Sequence, residues 1–290
     1  MPNSGDSRPL AGIVITVAAM VTLAGTDAIC KHLTASYAIA QILWIRYVLY
    51  ASYGVYAAHA EKGLRGFSSR NLGLQLARGS LLVVANIVIV FSFSRLALAD
   101  VHSVIAIAPL AVTAASVLFL GERVDASRWF AVAVGFFGVL VILRPGEGVL
   151  DPISLTPLVG AALYTTYQIL TKLVTRNDGP GPTQFFTGIT GLFWFSLALP
   201  FVWIDPAMTD WVWLLAAAIA GTLAHVLIVL GLHLAPASTL QPFNYSMLIA
   251  AALFGFVFFD EIPDASTVIG ASIVVAAGLY VVYRERKLSY

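Results

Sequence analysis

Ten long apolar segments, separated by short polar breaks, follow one another along the 290-residue chain. Each has roughly the 20 residues that a helix needs to cross the hydrocarbon core of a bilayer. The breaks carry glycine, proline and charged residues, as in Asn177-Asp178-Gly179-Pro180, and such residues are typical of turns. The predicted spans are residues 10–29, 38–58, 72–93, 101–120, 128–143, 155–174, 184–204, 211–232, 236–259 and 266–283. The pattern predicts an all-α integral membrane protein with ten transmembrane helices.

The amino-acid composition is also typical of a protein embedded in lipid. Hydrophobic residues make up 59% and charged residues only 11%, whereas soluble domains carry about 25% charged residues. The net charge of +1 offers no basic surface for nucleic acid, so we expect no nucleic-acid partner. The single cysteine, Cys30, cannot form an internal disulfide. The first span has no convincing cleavage site, which favours a membrane helix over the alternative of a cleaved signal peptide.

The distribution of lysine and arginine predicts the orientation of the chain. If both termini share one side of the membrane, that side holds eleven of these residues, the opposite side holds three, and Arg46 and Arg78 fall within spans. Cytoplasmic loops carry the excess of positive charge. We therefore expect a multi-pass protein of the cell inner (plasma) membrane with both termini in the cytoplasm.

An offset of 139 residues aligns the two halves of the chain at polar positions. It places Asn86 on His225 and the run Asp125-Ala126-Ser127 on Asp264-Ala265-Ser266. Because five spans per half is an odd number, the second copy must run through the membrane inverted. Inverted repeats are typical of secondary transporters, whereas the alternative is chance similarity among apolar helices. The predicted repeats are residues 10–144 and 155–283, each with five helices.

Several motifs in both halves resemble one known family. Pro109 is followed by LAVTAASVLFLGERV, and the next span contains GFFGVLVILRPG. The second half has an apolar run from Leu248 to Gly255 that leads to Asp260-Glu261-Ile262-Pro263, and Arg46 lies in the second span. Over nearly the whole chain this sequence resembles the EamA branch of the drug/metabolite transporter superfamily.

The resemblance implies ten helices, two inverted five-helix repeats and transport of amino acids or other small metabolites. It also implies that Glu122 and Glu261, which match the family's glutamates at the ends of the fourth and ninth helices, are structural end caps. It implies no cofactor, and the sequence shows no metal-ligand motif, so we expect neither.

Polar groups in the middle of a span need a reason, because they are expensive to bury in lipid. Asn86 and His225 lie about halfway along their spans and are mates in the repeat. The Gln241–Tyr245 segment contains a proline that frees a backbone carbonyl, and paired tyrosines suit the binding of amines or amino-acid side chains. The candidate substrate-binding residues are Asn86, His225, His102, Ser103, Tyr164, Tyr167, Gln168, Gln241, Pro242, Asn244, Tyr245 and Trp44. The alternative for each is ordinary helix packing or a hydrogen bond between helices.

Two charged residues, Asp27 and Arg46, are expected to have structural or coupling roles. Asp27 can pair with Lys31 along the first helix, or with Arg46 of the second span. The Asp27–Arg46 pair is interpreted as structural. Arg78, near the start of the third span, is expected to extend its guanidinium to the cytoplasmic face.

These features predict a secondary transporter that moves a small polar metabolite by alternating access through a central cavity. Amino acids, by export or facilitated exchange, are the first expected substrates; purines or nucleosides, organic acids and S-adenosylmethionine-like compounds are the alternatives. No Walker loop is present, so ATP does not drive the process directly. An enzyme is not expected, since HExxH, paired-aspartate and GxSxG motifs are absent, and a scaffold role is a remote alternative. The expected partners are the small-molecule substrate and membrane lipid, with a monomer as one option, and proton coupling is open.

Labelling of introduced cysteines tests the topology. Single-cysteine variants in the 61–71 loop, made without Cys30, should resist impermeant thiol reagents added outside intact cells, because this loop is expected to be cytoplasmic. Labelling from outside would contradict both the orientation and the inverted repeat.

Overall fold

A computed structural model of the chain describes residues 9–120, 125–144, 152–175 and 177–288. The described residues are helical and contain no strand, which confirms the all-α prediction. Short 3-10 turns, Gly63–Phe67 and Leu199–Phe201, follow the second and eighth helices. The α-helices are α1 Pro9–Leu33, α2 Ile39–Lys62, α3 Leu72–Arg95, α4 Leu98–Ile105, α5 Ala108–Leu120, α6 Ala126–Leu143, α7 Thr156–Val174, α8 Pro180–Ala198, α9 Asp210–Leu234, α10 Ala237–Asn244, α11 Ser246–Phe259 and α12 Ala265–Leu288.

Eight helical stretches of the described chain are long and apolar enough to cross a membrane. They are Pro9–Leu33, Leu72–Arg95, Leu98–Val117, Ala126–Leu143, Pro180–Phe201, Asp210–Leu234, Thr239–Phe259 and Ala265–Arg284. The helices α2 and α7, which correspond to the second and sixth predicted spans, are not among these eight. The chain is thus a multi-pass membrane protein, and the count of ten transmembrane helices stays a prediction.

The fourth and ninth predicted spans are each divided into two helices. Pro109 lies in the first turn of α5, where a helix needs no backbone N–H donor. In a continuous helix from α4 to α5, the N–H that proline lacks would leave one helix hydrogen bond unmade. The last turn of α4 is closed instead by a bond from the Ala106 N–H to the His102 carbonyl (2.9 Å). In the second half, Pro242 lies inside the short helix α10, and the helix breaks at Tyr245.

The main helix contacts join the first and second halves of the chain. Helix α1 packs on α9, α2 on α8, α3 on α7, and α6 on α12. Small residues allow close approach at these crossings. A Cβ atom added to Gly138 of α6 would lie 2.9 Å from the Gly270 carbonyl oxygen of α12, and one added to Gly188 of α8 would lie 2.7 Å from the Ala51 Cα of α2. The boundaries 10–144 and 155–283 stay predictions, but the two segments pack on each other along most of their helices.

An ion pair between the halves joins α1 to the segment after α11. Lys31 pairs with Glu261 and also donates to the Leu96 carbonyl (2.6 Å). Glu261 in turn accepts a hydrogen bond from the Leu98 N–H at the start of α4 (3.0 Å). The expected pairing of Lys31 with Asp27 is therefore wrong, because Lys31 turns toward the helix end that Glu261 caps. The other expected end cap, Glu122, lies outside the described residues.

The starts of α6 and α12 correspond at the offset of 139 residues. Ser127 donates to Asp125 (2.5 Å) before α6, and Ser266 donates to Asp264 (2.9 Å) before α12. The Thr267 N–H also donates to Asp264 (2.8 Å), and this bond, with the hydroxyls and Arg144 nearby, lowers the pKa of Asp264 to about 2. The carboxylate therefore caps α12 in its ionised form at neutral pH.

Replacement of Glu261 by alanine should lower the stability of the bundle. The change leaves Lys31 without its carboxylate partner and the Leu98 N–H without an acceptor, and the loss of a charged hydrogen bond costs about 1.5–3 kcal/mol. The midpoint of thermal unfolding in detergent measures the effect. Asp260→Asn is the matched control, because Asp260 is exposed and its positive φ of 54° is also accessible to asparagine. Equal midpoints for the two variants would contradict the role of Glu261.

Candidate functional site: a central cavity

A cavity of about 220 Å³ lies between helices of both halves. Six residues that the sequence proposed as substrate-binding or coupling groups line it: Asp27, Arg46, Asn86, His102, Tyr164 and His225. Apolar side chains form a further part of the wall: Leu23, Leu82, Ile89, Ile105 and Met247. The cavity is therefore mainly apolar with a few polar groups, which is the usual character of a small-molecule site.

The charged groups of the cavity do not form the expected Asp27–Arg46 ion pair. Arg46 Nη1 donates to the Cys30 sulfur (3.3 Å), one turn further along α1 than Asp27. Asp27 lies instead beside His102, whose Nε2 atom is 3.4 Å from Oδ2. That nitrogen has no hydrogen-bond partner, so the two groups are close but poorly aligned. The expected pairing is corrected: the carboxylate and the guanidinium both face the cavity but contact other residues.

A small residue on α9 provides the space for Arg46. A Cβ atom added to Gly221 would lie 3.3 Å from Arg46 Nη2 and 3.4 Å from the Thr26 methyl. The next turn of α9 carries His225, whose Nδ1 atom is bonded to the Gly221 carbonyl (2.9 Å). The spacing of four residues thus places a guanidinium pocket and an imidazole on the same face of one helix.

Asn86 and His225 contact two tyrosines of α2 that the sequence did not single out. The Asn86 amide donates to the Tyr47 hydroxyl (2.9 Å). The Tyr50 ring lies edge-on to His225, with ring centroids 5.0 Å apart. Tyr47 and Tyr50 follow Arg46 by one and four residues, so the signal was present in the sequence as polar and aromatic residues spaced by one helical turn.

After Tyr47 and Tyr50, the third polar residue of the wall that the sequence did not propose is Thr222 of α9. Its hydroxyl is buried and has no hydrogen-bond partner among the described residues. A threonine within an apolar helix usually bonds to its own backbone, so neither its type nor its spacing marked it in the sequence. The cavity therefore has an unpaired hydroxyl beside the Gly221 and His225 turn.

His102 is held by the short helix α4. Its ring packs against Phe93, with centroids 5.0 Å apart, and its carbonyl closes the last turn of α4. The end of α4 therefore positions the His102 imidazole in the cavity wall.

The structure does not bring the other proposed residues to the cavity wall. Trp44 donates to Ser196 (2.9 Å) and packs on Trp203, away from the cavity. Tyr167 stacks on Tyr164 and accepts a hydrogen bond from Arg78. The remaining proposed residues also lie outside the lining: Ser103, Gln168, Gln241, Pro242, Asn244 and Tyr245. Asn244 and Gln241 bond to each other within α10 (3.2 Å) instead.

The arrangement is suited to binding rather than to bond breaking. It offers one carboxyl group, one guanidinium, an amide and aromatic faces around a partly open volume. No group of three or more metal-ligating residues occurs in the part of the chain that the structure describes. A ligand with a flat ring and polar edges can stack on the aromatic faces and bond to the polar groups.

Comparisons with known proteins agree on a class of membrane carriers. The EamA-like transporter family matches residues 10–144 and 153–284. A riboflavin transporter of Vibrio cholerae is 30% identical over 182 residues, which cover 62% of this chain and 61% of that protein. An S-adenosylmethionine uptake transporter of Rickettsia bellii is 26% identical over 179 residues, 62% of each chain. The aligned part of the chain thus covers about three fifths of the length of these two relatives.

Two further similarities extend over nearly the whole chain. A pseudopaline exporter of Pseudomonas aeruginosa is 24% identical over 274 residues, which cover 92% of this chain and 94% of that protein. One crystal structure matches with a TM-score of 0.62 at 14% identity, covering 97% of this chain and 99% of the other. The structural likeness supports the fold, and the family match covers both halves. The chain belongs to the EamA-like transporter family.

Proposed function

We propose that this protein is a secondary transporter that moves a small polar metabolite by alternating access through the central cavity. The observation that carries the proposal is the cavity itself, because it gathers Asp27, Arg46, Asn86 and His225 from helices of both halves. Polar groups that are buried in a membrane bundle and face an open volume are typical of substrate pathways. The relatives named as uptake transporters and as an exporter support the class, although they differ in direction.

The proposed architecture is ten transmembrane helices in two inverted repeats, in the inner membrane, with both termini in the cytoplasm. The broken helices α4–α5 and α10–α11 support it, because discontinuous helices near the midplane are common in transporters built from inverted repeats. The excess of basic residues on one side supports the orientation.

The substrate class that fits the cavity best is a planar heterocycle joined to a polar chain. Aromatic side chains provide faces for the ring, whereas Asn86, Asp27 and Arg46 provide an amide, a carboxyl group and a guanidinium. Riboflavin and S-adenosylmethionine, after which several relatives are named, both have this form. Amino acids are the first substrates expected from the sequence, but none of the named relatives is an amino-acid transporter. They remain the alternative substrate class, and the assay below distinguishes them from heterocyclic compounds.

Ligand-induced stabilisation of the purified protein tests the proposal. A ligand that binds the folded state raises the unfolding midpoint by mass action. The panel contains riboflavin, S-adenosylmethionine and the common amino acids, and hits are followed by counterflow in proteoliposomes. Stabilisation and counterflow by a heterocyclic compound are expected. Stabilisation by amino acids alone would contradict the substrate class, and binding without counterflow would contradict transport.

Asp27→Asn should selectively weaken the binding of positively charged ligands. The loss of a charged partner is expected to reduce the affinity for S-adenosylmethionine about tenfold or more, while neutral riboflavin changes less than about twofold. Isothermal titration of the purified variants measures both. The control is Asp100→Asn, since Asp100 accepts a hydrogen bond from Thr267 (2.7 Å) and does not line the cavity. An equal loss for the two ligands would contradict a charge-specific role of Asp27.

The location of the substrate site is tested by comparing alanine variants of two asparagines, one in the cavity and one outside it. Asn86→Ala should weaken substrate affinity several-fold, because a lost neutral hydrogen bond costs about 0.5–1.5 kcal/mol. His225→Ala should do the same, with little change in the unfolding midpoint without ligand. Asn244→Ala should leave affinity unchanged, because Asn244 bonds within α10 outside the cavity. Loss of affinity only in Asn244→Ala would place the site in α10 instead.

A further inference from the structure

Arg78 of α3 is fully buried, with 0% of its surface exposed. The expectation that its guanidinium reaches the cytoplasmic face is therefore wrong. Arg78, Leu82 and Asn86 are spaced by four residues and so share one face of α3. Leu82 and Asn86 line the cavity, whereas Arg78 lies one turn further toward the 63–71 end of the bundle. The guanidinium therefore occupies the layer between the cavity and that end.

The Arg78 guanidinium joins the first half of the chain to two helices of the second half. Nη1 donates to the Tyr167 hydroxyl (3.1 Å) and the Thr171 hydroxyl (3.2 Å) of α7. Nη2 donates to the Thr183 carbonyl (2.8 Å) and the Thr187 hydroxyl (2.7 Å) of α8. Its charge also lies over the Tyr167 ring, 5.2 Å from the centroid. One side chain thus draws α3, α7 and α8 together below the cavity.

All of these partners are electrically neutral. No carboxylate lies within ion-pair distance of Arg78 in the described ranges, and its Nε atom has no partner. Gln75 accepts from Nη2 (3.0 Å) and donates to Asp178 (2.9 Å), so a carboxylate is reached only through an amide. Because neutral acceptors bind a guanidinium less strongly than a carboxylate does, these contacts break more readily than an ion pair would.

The two threonines keep a hydrogen bond when Arg78 moves away. The Thr171 hydroxyl donates to the Tyr167 carbonyl (2.8 Å), and the Thr187 hydroxyl donates to the Thr183 carbonyl (2.8 Å). Each hydroxyl oxygen accepts a hydrogen bond from Arg78, while the hydroxyl hydrogen is donated to a carbonyl of the same helix. Opening therefore leaves both threonine hydroxyls bonded to their own helices, whereas the guanidinium and the Tyr167 hydroxyl need new partners, which entering water supplies.

Asp178 links this cluster to the surface at the same end. Burial alone would raise the pKa of Asp178, but hydrogen bonds from Ser69, Gln75 and the Arg70 backbone leave that pKa below its usual value. The carboxylate is therefore ionised at neutral pH and holds the segment before α3 against the start of α8. Movement of either segment is transmitted to Gln75 and from there to Arg78.

We propose that Arg78, with Tyr167, Thr171, Thr183 and Thr187, forms a gate that closes the cavity toward the 63–71 end of the bundle. The proposal rests on the transport function proposed above and names the group that controls access from one side. Release of the guanidinium separates α3 from α7 and α8 and opens the cavity toward that end, which the charge distribution predicts to be cytoplasmic. Arg78 then acts on access and not as a ligand of the substrate.

Site-directed labelling without substrate tests the gate. Leu82→Cys places a thiol in the cavity wall next to the gate. An impermeant maleimide is added separately to each side of the membrane, using right-side-out and inside-out vesicles. The native Cys30 is buried but has a free thiol that could also react. Its labelling is therefore measured as background in protein without the introduced cysteine. Arg78→Gln in the Leu82→Cys protein should increase the labelling rate from the 63–71 side about tenfold, since a charged hydrogen-bond donor is lost.

Two threonines of α8 provide the matched comparison. Thr187→Val removes one acceptor of Arg78 while keeping the charge and the side-chain volume, so it stays informative if Arg78→Gln does not fold. Thr190→Val is the control, because Thr190 is buried on the same helix and its hydroxyl has no partner. Thr187→Val should increase labelling from the 63–71 side and decrease it from the other side, as expected for a shift between two conformations. Thr190→Val should change neither.

Equal labelling rates in the Thr187→Val and Thr190→Val proteins would overturn the gate, as would an unchanged rate in a folded Arg78→Gln protein. Counterflow of the best ligand is measured in the same preparations. Because the labelling needs no substrate, it tests the gate even if the protein transports none of the compounds in the panel. A failed gate with intact counterflow, and a working gate without counterflow, are therefore distinct results.

Discussion

Polar groups inside this bundle must find their partners within the protein, because the hydrocarbon core of a bilayer offers no hydrogen bonds. The structure meets this constraint largely across its two halves. Lys31 of α1 is paired with Glu261 beyond α11, the Gln41 amide donates to the Ile204 carbonyl (2.7 Å), and Arg78 donates to two helices of the second half. Apolar packing alone gives little preference for one helix neighbour over another in lipid. Polar bonds therefore help to select helix neighbours, as those of Arg78 do for α3 with α7 and α8.

The cavity follows from that pairing. Helices that meet through glycine and alanine, as Gly188 and Ala51 do, approach closely, whereas the positions of Arg46 and His225 leave a gap near the middle of the bundle. The gap is bounded on one side by His102 on a short helix that ends before Pro109, and on the other by the layer that contains Arg78. If the proposed site and gate are both correct, different substitutions would alter substrate recognition and control of access, because different residues form the cavity wall and the Arg78 layer.

Much of the fold could be predicted from the sequence, because hydropathy reports directly on burial in lipid. The helices lie close to the predicted spans, and Asn86 and His225 line one cavity as mid-span polar residues should. Long-range pairing could not be predicted. The charge of Arg78 near a span end suggests contact with water, and only the fold brings Tyr167 and Thr187, 89 and 109 residues away, to its guanidinium. The repeat also misled at one point. At the offset of 139 residues His102 corresponds to Gln241, but His102 lines the cavity and Gln241 does not, and the proline that follows Gln241 has no counterpart in α4.

The absence of a carboxylate next to Arg78, among the residues that the structure describes, has an electrical consequence. In a paired cluster, a moving arginine is accompanied by an anion and little net charge is displaced. Here the guanidinium has only neutral neighbours, so any shift along the membrane normal carries its full positive charge. A unit charge that crosses the whole membrane potential changes energy by about 2.3 kcal/mol per 100 mV, and a partial displacement changes it in proportion. If Arg78 forms the proposed gate, the equilibrium between its closed and open states depends on voltage, because a potential that is negative inside draws this arginine toward the cytoplasm.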